Sequence, residues 1–349
     1  MNEQVIEYLR TKMSVEEVTG SSLIGKVKGK IYPPVGKTVS EIKEYFSHTE
    51  FTPLFREENG LHTIQFGIYR RPDEKPRYWL NIMLFIATIL STILAGSLNS
   101  GGNPFTNLSD LLMGIPFSAS IMAILTCHEL GHYFVSRREG MMTTLPYFIP
   151  MPLHFIGTFG AIIRMKSIVP SRRALLKVGM AGPVAGFLVA LPISILGIYL
   201  SDVRIAPETE GILRLGDSLL FWLFAKLIHT DIPQGYDLFL HPVAFAGWLG
   251  LFVTSMNLIP IGQLDGGHVT FSLFLKKRRF LYVPIFAAIL GLGLLWLGWY
   301  FWALVAAFIA RRDPVIQDTL TPLTTRQKIY AVIPLIILIL TFVPQPFVI

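Results

Sequence analysis

Six apolar runs, at residues 80–98, 114–136, 178–200, 241–260, 281–310 and 329–345, constrain this chain more than any other feature. A helix of about 20 apolar residues crosses the hydrocarbon core of a bilayer, and most of the runs reach or approach that length. The chain is 52% hydrophobic and 15% charged, whereas a soluble domain carries about 25% charged residues. The runs therefore predict an all-α polytopic membrane protein. As one helix, 281–310 would be about 45 Å long, too long for a hydrocarbon core of about 30 Å without strong tilt. Two short helices broken near Gly298 are the alternative, and they bring the count to about seven transmembrane helices.

Residues 1–76 hold no run able to span a bilayer, and are read as a small cytoplasmic α+β domain ahead of a membrane-embedded domain, 77–349. Strands are expected over 23–32, 51–55 and 61–69, and a helix over 41–46 following Ser40. Met1-Asn2-Glu3-Gln4 has no basic stretch leading into an apolar core, so no cleaved targeting segment is expected. The net charge of +7 could suggest nucleic acid. The basic residues, however, cluster beside the apolar runs: Arg70, Arg71, Lys75 and Arg77, then Arg137 and Arg138, then Arg172, Arg173 and Lys177, then Lys276-Lys277-Arg278-Arg279. Lys and Arg in such positions mark the cytoplasmic side, so lipid rather than nucleic acid is the expected surrounding. A break near Gly298 would also put Arg311, Arg312, Arg326 and Lys328 inside. The stretch 201–240 has three basic residues against six acidic ones and is expected outside, with an interfacial helix around 219–228. The single cysteine, Cys127, excludes a disulfide framework and any Cys-rich metal site.

Inside the second run stands Cys127-His128-Glu129-Leu130-Gly131-His132, an HExxH pattern. At about 100° per residue, His128 and His132 fall on one face, one turn apart, so both imidazoles can reach one ion. Two neutral nitrogens at that spacing suit zinc, and Glu129 is close enough to take a proton from a water that the ion activates. This is the pattern of zinc-dependent peptide hydrolysis. A chance HExxH is a weak reading here, because each charged residue at membrane depth costs about 2.5–3.5 kcal/mol unless a partner or cavity compensates. Cys127 points away from His128 and reads as a small buried thiol.

A catalytic zinc needs a third protein ligand. Asp265 stands out among the later carboxylates, in Asn257-Leu258-Ile259-Pro260-Ile261-Gly262-Gln263-Leu264-Asp265-Gly266-Gly267-His268. Pro260 disfavours a continuing helix and the glycine pair permits close backbone approach, so the segment can break at membrane depth and swing Asp265 towards the second run. Two alternatives stand beside this: Asp265 as the N-cap of the next helix, and His268 as a competing ligand.

HExxH in an early span, with Asn-x-x-Pro-x-x-x-x-Asp-Gly about 130 residues on, resembles the site-2 protease family of intramembrane zinc metalloproteases. The resemblance implies one Zn2+ per chain held by His128, His132 and Asp265, with Glu129 as general base. It also implies that Asn257 steadies the scissile carbonyl or its oxyanion, although an interhelical hydrogen bond is an equally simple use of a buried Asn. Gly157-Thr158-Phe159-Gly160 looks like the family's membrane-dipping loop or hairpin, whose extended edge could pair with an unwound substrate; plain interfacial packing is the alternative. Gly179, Gly182 and Gly186 resemble a glycine-rich stretch of the family, and Gly182 and Gly186, at four-residue spacing, are expected to shape a helix interface. The implied partners are the bilayer and a transmembrane protein substrate, already cut by another protease. The implied location is an integral, multi-pass one, read here as a prokaryotic plasma membrane with the N-terminus cytoplasmic. The chain departs from some bacterial members in that 201–240 is too short for an inserted PDZ domain. Two other readings compete: a zinc protease facing cytosolic substrates, which typically takes a later Glu as third ligand, and a silent membrane scaffold, which would not need Glu129.

Overall fold

A computed structural model describes residues 3–20, 25–68, 76–152, 154–205, 214–310 and 314–348. Residues 23–24 and 69 of the expected strands, and the basic residues Arg70, Arg71, Lys75, Arg311 and Arg312, lie outside the described residues. The chain opens with α1 (Glu3–Arg10), β1 (Met13–Gly20), β2 (Gly25–Ile31), α2 (Val35–Phe46), β3 (Phe51–Glu58) and β4 (Leu61–Ile68). The four strands form one antiparallel sheet in the order β1-β2-β4-β3. Alternation along β2 turns Val27 and Ile31 inward, where they join Leu9, Val39, Ile42, Phe46, Phe55 and Ile64 in a core of their own. Sequence reasoning missed α1 and β1, and α2 starts earlier than expected, directly after Pro34.

Then follow α3 (Tyr78–Asn99), a 3-10 turn at Leu108–Gly114, and α4 (Ile115–Arg138). A hairpin of β5 (Tyr147–Pro150) and β6 (Thr158–Ile162) leads to α5 (Arg172–Tyr199). Next come β7 (Asp202–Ile205), β8 (Arg214–Leu215), α6 (Leu219–Ile228), β9 (Tyr236–Phe239), α7 (Pro242–Asn257) and α8 (Asp265–Phe274). The chain ends with α9 (Arg279–Leu292), α10 (Gly298–Ile309), α11 (Thr325–Tyr330), α12 (Val332–Thr341) and β10 (Phe347–Val348). Two further small sheets pair β7 with β9 and β8 with β10.

Among the described residues three segments are long and apolar enough to cross a membrane: Tyr78–Asn99, Leu108–Arg138 and Arg172–Tyr199. The run 281–310 is two helices, α9 and α10, of 14 and 12 residues. The helix expected around 219–228 is present as α6. The α5 helix is central and packs against α4, α7 and α8. It begins with Ser171, whose side chain accepts the Ala174 amide as an N-cap.

The N-terminal sheet is joined to the helices by the chain at 315–319. Phe55 donates its amide to the Gln317 carbonyl and accepts from Thr319, while Gln317 donates to the Val169 carbonyl at 2.8 Å. This short strap is paired on both sides. Lys43 of α2 bridges the same junction, donating to the Pro170 carbonyl at 2.9 Å and facing the buried Asp318 at 3.7 Å.

Candidate metal centre

Two imidazoles from α4 and one carboxylate from the start of α8 meet beside α5. His128 Nε2 and His132 Nε2 are 3.2 Å apart. Asp265 Oδ2 lies 3.3 Å from His128 Nε2 and 3.2 Å from His132 Nε2. His128 and His132 are 5% and 6% exposed, so water screens the two rings little. Tetrahedral zinc with bonds of about 2.0–2.1 Å to nitrogen and oxygen requires ligand atoms about 3.3 Å apart. The three donor atoms are at that separation.

The hydrogen bond that His132 makes with α5 orients its ring for a cation. Its Nδ1 lies 2.8 Å from the Val178 carbonyl oxygen, which can only accept, so Nδ1 carries a proton and, in the neutral ring, Nε2 presents a lone pair. That lone pair faces a carboxylate oxygen and the second histidine. With both rings neutral, the donor set of two imidazole nitrogens and one carboxylate, converging in a buried pocket, fits Zn2+. Among the described residues these three side chains form a group able to hold a metal.

The approach depends on glycine. A Cβ at Gly182 would overlap the His132 ring. A Cβ at Gly186 would sit 3.1 Å from His128 Nδ1, and one at Gly179 would sit 3.1 Å from the Asp265 carbonyl oxygen. The three glycines thus shape the α4–α5–α8 interface, at the metal centre itself. Gly131, within HExxH, serves the same crossing, since a Cβ there would meet the Ala181 carbonyl oxygen at 2.5 Å.

Asp265 is the first residue of α8, and the capping position belongs to Leu264. Its carboxylate is turned to the histidines, so the helix-cap alternative does not describe it. Pro260 and Gly262, the latter at φ +59°, turn the chain between α7 and α8. Gly267 packs onto that turn, where a Cβ would meet the Ile261 carbonyl oxygen at 2.6 Å. His268 lies outside the donor group, and its buried Nδ1 has no hydrogen-bond partner among the described residues.

Glu129 is 8% exposed and follows His128 directly on α4. Asn257 ends α7, half-buried. The segment 157–160 is the turn and first strand residues of the β5-β6 hairpin. Gly157 and Gly160 have φ of +77° and +93°, which only glycine adopts freely. Ser91 of α3 donates to the Gly157 carbonyl at 2.6 Å, and Asn81 donates to the Leu145 and Pro146 carbonyls, so α3 anchors the hairpin. Thr158 is buried and Phe159 is 71% exposed. Cys127 is half-buried. The Val178 carbonyl was missed by sequence reasoning, because a backbone acceptor leaves no mark in a residue pattern.

The Peptidase family M50 profile matches residues 116–298, which include HExxH and Asp265. A relative in Arabidopsis thaliana, "Probable zinc metalloprotease EGY2, chloroplastic", is 32% identical over 252 residues, covering 70% of this chain and 44% of its own. "Probable zinc metalloprotease EGY1, chloroplastic" of Oryza sativa subsp. japonica is 26% identical over 370 residues, covering 93% of this chain and 62% of its own. The chain spans about half the length of these curated relatives. No solved structure matches. The matched segment is more than half of the chain and contains the whole donor set, and on that ground the chain belongs to Peptidase family M50, as its likeness to the site-2 proteases implied.

Proposed function

We propose that this chain is an intramembrane zinc endopeptidase that hydrolyses a peptide bond within or near a transmembrane segment of another membrane protein. The convergence of His128, His132 and Asp265 beside Glu129, on apolar helices, is the observation that carries the proposal. His128, His132 and Asp265 would hold the ion. Zinc, when bound, supplies Lewis acidity that makes water a nucleophile near neutral pH. The Glu129 carboxylate accepts the proton of the attacking water and returns it to the leaving amine. Asn257 offers an amide donor to the carbonyl oxygen as negative charge grows on it.

The β5-β6 hairpin offers the substrate a place to unwind. β6 pairs with β5 on one side, and no strand pairs with its other edge among the described residues. A substrate strand added there would satisfy its backbone groups while leaving helical form, with Gly157, Thr158, Phe159 and Gly160 lining its path. We further propose that α7, the α9–α10 pair and α11–α12 complete the crossing to about seven spans, which their apolar composition supports. Residues 1–76 would form a cytoplasmic domain and 77–349 the membrane domain. The basic residues beside α3, α4 and α5 support that orientation, in what we take to be a prokaryotic plasma membrane. The substrate we envisage has already been trimmed by another protease, which suits a site recessed among helices.

Purified protein in detergent, assayed for metal and then incubated with a single-span substrate with and without a chelator, tests the reading. We expect bound zinc and cleavage that the chelator stops and added zinc restores. Cleavage indifferent to chelation would refute it.

A further inference from the structure

Arg278 belongs to the basic run that marks the cytoplasmic side, yet it is 1% exposed. Its guanidinium stacks over the Phe271 ring of α8, 4.2 Å from the centroid. Nη1 donates to the Leu275 carbonyl at the C-terminal end of α8, at 3.0 Å, and Nε donates to the Tyr282 hydroxyl oxygen at 2.9 Å. That same oxygen accepts the backbone amide of Gly262 at 3.2 Å. Gly262 lies in the turn that delivers Asp265 three residues later. On its other side the turn meets α10, since a Cβ at Gly262 would lie 2.6 Å from the Ile309 carbonyl carbon.

We propose that Arg278 and Tyr282 are positioning residues: they clamp both ends of α8 and thereby aim the Asp265 carboxylate at His128 and His132. Burying a guanidinium is costly. A residue that served only to mark the cytoplasmic side would not need that burial, because a solvated arginine marks it equally well. The clamp explains the burial, since it reaches the Gly262 amide only from inside the packed helices. Partners of metal ligands tune affinity by fixing ligand direction, and here the fixing acts through the backbone of the turn.

The inference rests on reading His128, His132 and Asp265 as zinc ligands. Its test is the zinc Kd of the full chain in detergent, measured by chelator competition and independent of turnover. A wild-type chain that bound no zinc would remove the zinc reading itself and this inference with it. Given wild-type binding, Tyr282→Phe removes the acceptor shared by Arg278 and Gly262 while keeping the ring. We expect its zinc Kd to rise about tenfold. In an Asp265→Ala background the same substitution should leave the Kd unchanged, because the ligand it aims is gone. An unchanged Kd in the single variant, or an equal rise in both backgrounds, would overturn the positioning role. Arg278→Lys, which keeps the charge but loses the guanidinium fork, is judged by the same two comparisons if Tyr282→Phe does not accumulate.

Discussion

Glu129 and Asp265 are expected to fail differently when changed. Glu129→Gln keeps the size and burial of the side chain and removes only its capacity to take a proton. Zinc content should therefore hold while cleavage of a reconstituted single-span substrate falls by about 10²–10⁴-fold. Metal analysis and turnover on the same preparation check this, and equal turnover would remove Glu129 from the chemistry. Asp265→Ala removes a donor atom 3.2 Å from His132 Nε2 and should lower bound zinc, whereas His268→Ala, outside the donor group, should lower it less. The reverse order on dialysis against a weak chelator would reassign the third ligand. The donor set was legible in the sequence because its signals are local: two histidines at one-turn spacing, and one carboxylate in a Pro- and Gly-broken apolar segment. Arg278 was not, because a buried arginine and a solvated one read alike inside a basic run.

The contact between α4 and α5 owes its closeness to residues without side chains. Gly182→Ala would place a methyl group where the His132 ring lies, so either the ring turns from the Val178 carbonyl or the helices part. Zinc affinity is expected to fall about 10–100-fold, as for other losses of a partner that orients a ligand. Gly186→Ala meets His128 at 3.1 Å, a contact that a small shift relieves, and should cost less. Chelator competition on both variants gives the order. At this scale the long apolar runs appear directly as α3, α4 and α5, and the length argument separates α9 from α10. The elements missed are those whose pattern is weak. β1 carries Glu16 and Glu17 side by side, and five of its eight residues are exposed, so no clean alternation marks it. It is held by pairing with β2, which is tertiary information.

The assembly of sheet and helices is the part that no periodicity announced. The strap at 315–319 has no strand-length pattern, and its partners, Phe55 and Val169, lie far away in sequence. Lys43 and Asp318 then place one charge pair inside the junction. Burial pulls the Lys43 ammonium below its ordinary value, and Asp318 pulls it back only in part, which marks a charge that needs its partner. Asp318→Asn can keep the acceptor that caps the Leu320 and Thr321 amides while removing the negative charge. Losing the charge should weaken docking of the sheet by about 1–3 kcal/mol, less than for a fully buried pair because Lys43 is partly exposed. Adding Lys43→Met should recover most of that loss, since the unpaired ammonium rather than the missing attraction is the larger cost. Hydrogen exchange across residues 315–321 reads both steps: faster exchange in Asp318→Asn, and slower again in the double variant. If the double variant exchanged faster still, the contacts of Lys43, to Asp318 and to the Pro170 carbonyl, would be holding the N-terminal sheet against the helices.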